Sequence, residues 1–198
     1  MGRDRAWCLT LLMLLTAASA PPTGWHDTSW GESSPELARQ FGPAATRVDP
    51  PIDFGDSYAD LVLKNYLLGD YGFTVFFQMD KGTHRLKRIQ IERRRHGAVP
   101  EVAKAAFDAM VASYGRPTVS CATRARTIED RSLVEAVWQR DGTTVRAVFR
   151  EASLNTLDPY LARAVGDFVV GSTAAGLPQQ LLIRIAPAGT EPEDCRRR

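Results

Sequence analysis

FQMDKGT, residues 77–83, decides the fold, because it joins the end of an alternating run to a tight turn. The run Gly72–Asp80 alternates side chains between two faces, with Phe73, Val75, Phe77 and Met79 on one of them. This period of two is typical of a strand with a buried face. Asp80-Lys81-Gly82 is a turn sequence, and the strand-like run Leu86–Glu92 follows it. The stretch therefore predicts an antiparallel hairpin.

WQRDGT, residues 138–143, repeats this pattern in the second half of the chain. Asp141-Gly142 is a preferred two-residue hairpin turn, and it lies between the strand-like runs Leu133–Arg140 and Thr143–Glu151. A helical segment precedes each hairpin and ends in an aromatic residue, a glycine and a proline, at Phe41-Gly42-Pro43 and at Tyr114-Gly115-Arg116-Pro117. We interpret this order as two copies of a helix followed by three antiparallel strands. Chance similarity between common turn sequences is the alternative.

The two copies are not evenly spaced. Gly42 and Gly115 are 73 positions apart, whereas Asp80 and Asp141 are 61 positions apart. The first copy is therefore expected to carry about twelve extra residues between its helix and its hairpin.

Both helices have recognisable ends. Ser34 is a suitable N-cap for a first helix with Pro35 at its first position, and Gly42 closes it. Pro100 opens a second helix, which Gly115 ends. An apolar sheet face must be covered, so the helices are expected to cover it. The predicted fold class is α+β: two tandem helix-then-three-strand repeats form a largely antiparallel sheet covered by helices, with a C-terminal helix at Leu157–Val165 and a final strand at Gln180–Ala186.

The N-terminus has the three parts of a secretory signal peptide. Arg3 and Arg5 precede an apolar run, Ala6–Ala17, and Ala18-Ser19-Ala20 supplies small residues at the cleavage site. Cleavage after Ala20 predicts a periplasmic or secreted protein, and a retained N-terminal anchor is the alternative. The run is shorter than the roughly twenty residues that span a bilayer, and no later segment approaches that length, so no transmembrane span is expected in the mature chain.

These observations divide the chain as follows: signal peptide 1–20; extended arm 21–32; two-repeat domain 33–187, comprising repeat one 33–97, repeat two 98–152 and a C-terminal extension 153–187; and polar tail 188–198.

The charge balance gives no reason to expect a nucleic-acid partner. The whole chain has a net charge of +2, and loss of Arg3, Asp4 and Arg5 with the signal peptide lowers it to about +1. The basic residues are 21 Arg and 4 Lys, a ratio typical of a GC-rich coding bias.

Two cysteines remain after cleavage, Cys121 and Cys195. An exported protein meets an oxidising compartment, so these two are a candidate disulfide that ties the polar tail to the domain. Closing such a loop is worth about 4 kcal/mol in the chain-entropy model. Two unpaired thiols are the alternative.

The sequence contains no catalytic or cofactor motif that we recognise. A nucleophile elbow, an S-x-x-K pair and a glycine-rich phosphate loop are all missing. His26, His84 and His96 do not have the spacing of metal ligands. We therefore expect no metal, no cofactor and a non-catalytic protein, with an enzyme of unrecognised type, acting in a polar pocket, as the alternative.

Two surfaces are candidate binding sites. The basic group Arg93, Arg94 and Arg95 follows the first hairpin, close to Arg85, Lys87 and Arg88. Guanidinium groups bind phosphate and carboxylate, so the expected partner is an unknown envelope protein or an anionic envelope component. Coding bias, or charge that protects a sheet edge, explains the same residues. The second surface is aromatic: Phe76 on the far side of the sheet, with Tyr66 and Tyr71 beside Gly69.

The tandem of helix and strands resembles the architecture of the beta-lactamase inhibitory proteins and of small BamE-type envelope proteins, which place short helices on an antiparallel sheet. The resemblance covers residues 33–186 in element order alone. It implies a binding module.

Overall fold

The computed structural model describes residues 24–93, 100–123, 131–152 and 179–190. These ranges form one eight-stranded sheet and two α-helices. The first half consists of α1 (Ser34–Phe41), β1 (Ala45–Asp53), β2 (Ser57–Leu68), β3 (Tyr71–Asp80) and β4 (Leu86–Glu92). The second half consists of α2 (Pro100–Tyr114), β5 (Val119–Thr123), β6 (Arg131–Arg140), β7 (Thr143–Ala152) and β8 (Gln179–Pro187).

The predicted α+β class, with helices covering the sheet, is wrong, because the fold is dominated by its sheet. Every strand pair is antiparallel. Eight strands span roughly 34 Å, whereas a helix is about 10–12 Å across. Two helices of 8 and 15 residues are too small to cover such a surface. They pack on part of one face instead.

Each half contributes four strands to the sheet, where the sequence predicted three. The additional strand of the first half is β1, in a segment that the sequence indicates as a connection rich in Pro and Asp. Its Pro50 and Pro51 suppress the strand signal, because proline is depleted from sheet interiors. The additional strand of the second half is β8, which the sequence predicts as the final strand Gln180–Ala186 of a C-terminal extension. The predicted helix Leu157–Val165 lies outside the described residues.

The strand order is β1-β2-β3-β4-β8-β7-β6-β5, which is symmetric about the centre when β1–β4 are matched with β5–β8. In this match the β6–β7 hairpin corresponds to the β2–β3 hairpin. Leu68 pairs with Tyr71 and Arg140 pairs with Thr143, so both residues of the pair next to the turn shift by 72 positions. The predicted match of Asp80 with Asp141 was wrong, because the Asp80 turn joins β3 to β4. The matched hairpins are 72 positions apart and the helix ends are 73 positions apart, so the first half has no twelve-residue insertion between its helix and its hairpin.

The main core lies on the face that carries both helices, which we call the helix face. Phe73, Val75, Phe77 and Met79 of β3 are all buried there, as their alternation predicts. Leu37 of α1 and the buried side of α2 join them: Val102, Ala103, Ala106 and Met110. No helix among the described residues is both long enough and apolar enough to cross a membrane.

Residues 24–32, part of the segment predicted as an extended arm, pack against both halves; we call them the strap. Trp25 is 4% exposed and belongs to the core. The strap is fixed by backbone hydrogen bonds, with Gly31 donating its N–H to the Leu86 carbonyl at 3.1 Å. Trp30 donates its indole Nε1–H to Thr143 Oγ1 at 3.1 Å, so the strap reaches the second half of the chain.

The N-cap of helix α1 is one residue earlier than the sequence predicts. Ser33, rather than Ser34, is the N-cap, and Glu36 accepts its backbone N–H at 2.7 Å. This reciprocal arrangement is a capping box. Ser34 is thereby released to donate its hydroxyl to Asp60 at 2.6 Å, which ties α1 to β2.

Candidate binding site

The two outer strands of the described sheet differ in their ability to accept another strand. Strand β1 contains Pro50 and Pro51, and its pairing with β2 shifts register between Arg47 and Ile52. Proline and bulges at an edge prevent further pairing. Strand β5 reads Val-Ser-Cys-Ala-Thr, with no proline and no charge. The β5 edge thus lacks the usual protection.

Strand β5 pairs with β6 along its whole length, from Val119 opposite Val137 to Thr123 opposite Leu133. In the part of the chain that the structure describes, β6 is its only neighbouring strand. Ser120 and Ala122 of β5 are exposed. The described residues place no second strand beside β5, and a sheet edge of this composition favours strand pairing.

A cleft of about 390 Å³ lies beside this edge, between β5, β6 and α2. Two of its apolar side chains are unusually exposed, Val111 at 43% and Val134 at 39%. The buried ring of Trp138 also lines it, and its Nε1–H donates to the Gly115 carbonyl at 2.8 Å. The full lining is Phe107, Val111, Pro117, Ser120, Cys121, Ala122, Val134, Glu135, Ala136 and Trp138.

The cleft carries almost no charge. The lining residue Glu135 directs its carboxylate to the opposite face of the sheet, where it is fully buried and forms an ion pair with Arg146, with Nε and Oε1 2.5 Å apart. Arg146 is itself only 4% exposed. Because a buried pair of this kind neutralises itself, the cleft offers an incoming group mainly apolar contact.

The sheet face opposite the helices, which we call the second face, is buried and partly polar. Gln78 donates its amide to Gln90 at 3.1 Å, and Gln90 donates to Glu92 at 2.9 Å. Arg184 of β8 donates to the same Gln90 oxygen at 3.2 Å, which carries the network across the centre of the sheet. These hydrogen bonds satisfy polar groups that would be costly to bury alone.

Phe76 lies on the second face, as its alternation predicts, but it is not exposed. It is buried in a small cluster with Ala59 and Val62, and its ring centroid is 5.6 Å from that of Phe54. Tyr66 and Tyr71 are both half-buried. Tyr66 packs edge-on against Trp25, with ring centroids 5.0 Å apart. These three residues therefore do not form the exposed aromatic patch that the sequence suggested.

Of the predicted basic site, only Arg93 lies within the described residues. Its guanidinium carbon is 5.2 Å from the ring centroid of Tyr71, a cation–π contact. Arg94 and Arg95 lie outside the described residues, as does His96. The proposed use of this group as a polyanion site stays a prediction.

The neighbouring cations of β4 and the β3–β4 turn are neutralised by carboxylates. Arg85 pairs with Glu36 at 3.4 Å, while Lys87 and Arg88 both reach Asp56, at 3.1 Å and 2.8 Å. Desolvation opposes ionisation of Asp56, but hydrogen bonds from Lys87 and Arg88 more than offset it and lower its pKa to about 2. This part of the surface therefore carries paired charges, rather than an excess of positive charge.

Tyr114 ends α2 and is not one of the residues that line the cleft. Burial, with a smaller contribution from the charge of Tyr66, raises its pKa to about 12. Its ring centroid is 6.4 Å from that of Trp138. The phenol therefore stays neutral at physiological pH and adds no charge to the cleft.

The remaining predicted residues are dispersed. Cys121 lies in β5, whereas Cys195 is outside the described residues, so their pairing stays a prediction. His26 contacts the Tyr66 hydroxyl at 3.3 Å, and His84 contacts the Tyr58 hydroxyl at 2.9 Å. Among the described residues, no group of three or more His, Cys, Asp or Glu side chains could hold a metal ion.

Comparisons with known proteins do not place the chain in a family. No protein-family model matches it, and neither the curated proteins nor the solved structures contain a significant match. The resemblance to beta-lactamase inhibitory proteins and BamE-type proteins therefore stays an expectation.

Sequence reasoning missed the cleft, although signals for its parts were present. Strand β5 is the outer strand without charge or proline, and Val111 stands on the polar side of α2. What could not be read from the sequence was the strand order, which places β5 at an edge.

Proposed function

We propose that this protein is an exported, non-catalytic binding module that adds an extended segment of a partner polypeptide to the β5 edge. Export is proposed from the signal peptide that the sequence predicts at residues 1–20, and it implies a location in the periplasm or outside the cell. The partner is an envelope protein.

One observation carries the proposal: an unprotected edge strand lies directly beside an apolar cleft. In strand addition, the backbone of the edge supplies affinity, and pockets for alternate side chains supply specificity. Strand β5 supplies the edge, and the cleft with Val111 and Val134 is placed to take a side chain of the added strand. The β1 edge, which contains Pro50 and Pro51, is not suited to strand addition.

The chemistry of the described side chains favours binding over catalysis. A catalytic site needs a group of titratable side chains in a cleft. In the lining of the cleft beside β5, Glu135 is the one acidic residue and its carboxylate is paired with Arg146 on the other face; the other lining residues are apolar apart from Ser120 and Cys121. No described feature favours the alternative of an enzyme with a polar pocket.

The test is capture of the partner from a native envelope fraction by the mature protein, combined with amide hydrogen exchange. The variant Val111→Glu places a charge in the cleft on the exposed side of a helix, and we expect it to lose the captured protein. The control Leu67→Glu changes a residue that is 65% exposed and not part of the cleft lining, and it should retain capture.

Hydrogen exchange supplies the second measurement. Binding of the captured protein should slow exchange of the β5 amides, because strand addition pairs them. Equal capture by the wild type and Val111→Glu, or β5 exchange unchanged by the bound protein, would contradict strand addition.

A further inference from the structure

Cys121 lies at the middle of β5 and is joined in a disulfide to a cysteine outside the described residues. Its register partner is Glu135, so its side chain lies on the second face of the sheet, as the Glu135 carboxylate does. The sequence contains three cysteines, and one of the other two, Cys8, belongs to the predicted signal peptide. In the mature chain, the partner within the same molecule is therefore Cys195 of the C-terminal tail.

The strand register fixes how far this tail has to reach. Pro187 at the end of β8 pairs with Thr143, which pairs with Arg140, so these three residues lie at one level of the sheet. Cys121 lies three strand spacings away, beside Glu135, which is five residues further along β6. Spacings of about 4.8 Å between strands and a rise of about 3.4 Å per residue give roughly 22 Å between Pro187 and Cys121.

The chain between these points is short. The eight residues that follow Pro187 and end at Cys195 extend by at most about 29 Å. The first three of them form a turn, in which Thr190 donates its N–H to the Pro187 carbonyl at 3.3 Å, so they add less than about 7 Å. To form the disulfide, the tail therefore has to cross from β8 to the β5 edge of the sheet, and it has little length to spare.

The residues next to Cys195 in the tail are charged. Arg196, Arg197 and Arg198 follow it and extend about 10 Å from it. Strand β5 reaches only two residues, or about 7 Å, to either side of Cys121. The disulfide therefore keeps three guanidinium groups within reach of the edge. Charged side chains commonly protect sheet edges from pairing, and β5 has none of its own.

We propose that the C-terminal tail is the resident occupant of the β5 edge, held there by a disulfide between Cys121 and Cys195, and that reduction of this disulfide opens the edge to a partner strand. The proposal rests on the proposed strand addition and names its regulation. An external dithiol breaks the sulfur–sulfur bond and is itself oxidised to a disulfide. Two electrons and two protons pass to the two cysteines, which become thiols. The tail is then free to leave β5.

Two measurements on the full mature protein test the tail as occupant. Mass spectrometry of a non-reduced digest identifies the cysteine that is bonded to Cys121, and we expect it to be Cys195. Binding of an uncharged strand peptide, acetyl-Thr-Val-Thr-Val-Thr-amide, is measured by calorimetry, and the site is located from backbone amide shifts in nuclear magnetic resonance spectra. We expect the reduced protein to bind the peptide at least tenfold more tightly than the oxidised protein, with shifts in β5.

The variant Cys195→Ser separates loss of the disulfide from other effects of the reductant. It leaves the sequence of β5 unchanged, so it should bind the peptide as tightly as the reduced wild type does, and reductant should not change its affinity. Near-ultraviolet circular dichroism of each form reports whether the core stays folded.

The outcomes separate the two proposals. Equal affinity of the oxidised and reduced forms, with β5 amides shifted in both, would overturn the tail as occupant and leave strand addition standing. A free Cys121 thiol, or a bond from Cys121 to a cysteine other than Cys195, would overturn it in the same way. Shifts that avoid β5 in both forms, or no binding to either form, would overturn both proposals.

Discussion

Ile91 and Ile183 pair with each other across the centre of the sheet, and each occupies the same position in its own half. Ile91 of β4 also pairs with Val75, and Ile183 of β8 also pairs with Ala147, which is the counterpart of Val75. An approximate two-fold axis that relates the two halves of the sheet therefore passes between these two isoleucines. Both are fully buried. Each half closes the inner sheet edge of the other.

Truncation at this central pair should destabilise the whole fold. Ile183→Ala removes buried methyl and methylene groups next to the axis, and such changes cost about 2–5 kcal/mol. The free energy of unfolding in urea measures the effect. Leu67→Ala, at an exposed position, is the matched control and should change it by less than about 0.5 kcal/mol. Similar values for the two variants would show that the β4–β8 junction contributes little.

The buried ion pair on the second face should be costly to break and cheaper to replace. Glu135→Gln removes the carboxylate that pairs with the buried guanidinium of Arg146, and loss of one partner of a buried pair costs about 3–5 kcal/mol. The double variant Glu135→Leu with Arg146→Met removes both charges and should recover much of that loss. Urea unfolding of Glu135→Leu, of Arg146→Met and of the double variant measures the coupling. A double variant whose loss equals the sum of the single losses would show that the two charges do not interact.

Loss of the Trp25 side chain of the strap should destabilise the aromatic part of the core. Trp25→Ala removes a buried indole that contacts Phe41 and Tyr66, and we expect a cost of about 3–5 kcal/mol. Trp30→Phe keeps an aromatic ring but loses the hydrogen bond to Thr143, and about 1 kcal/mol is expected. Thermal melting and near-ultraviolet circular dichroism report both changes. A Trp30→Phe loss as large as that of Trp25→Ala would contradict this ranking.

Acid should weaken the ion pairs around Asp56. Its pKa is lowered from 3.8 to about 2, because hydrogen bonds from Lys87 and Arg88 outweigh desolvation. A carboxyl whose pKa is lower in the folded state stabilises the fold fully above its unfolded pKa, and that contribution is lost as the pH falls through the folded pKa. We expect the urea midpoint to fall between pH 5 and pH 2, and to fall less in Asp56→Asn. Identical pH profiles for the two proteins would exclude this contribution.

The local elements could be predicted from the sequence, and their arrangement could not. The alternation of Gly72–Asp80 and the turn at Asp141-Gly142 report local geometry, and both features occur in the structure. The pairing of the halves depends on which strands meet in space. Asp80 and Asp141 lie in similar turn sequences, yet their turns occupy different places in the strand order. Similar local sequences do not establish topological equivalence.

The candidate site combines residues that are distant in the sequence. Val111 lies in α2 and Val134 in β6, and neither is unusual by itself. Their exposure next to an open edge follows from the position of β5 at the end of the sheet. Arg93, in contrast, was conspicuous in sequence because it begins a run of three arginines, but in the structure it contacts Tyr71.

The strap also bears on the order in which the chain can fold. Trp30 is hydrogen-bonded to Thr143, which is 113 residues later in the sequence. Strand β4 pairs with β3 on one side, and its other side is paired by the much later strand β8. Contacts between such distant parts of a chain slow folding, because their loop entropy is lost before the contacts form. An N-terminal half that emerges first from the ribosome therefore lacks the partners that would complete its structure. Such a delay is compatible with the proposed export, because translocation across a membrane requires a chain that has not yet folded.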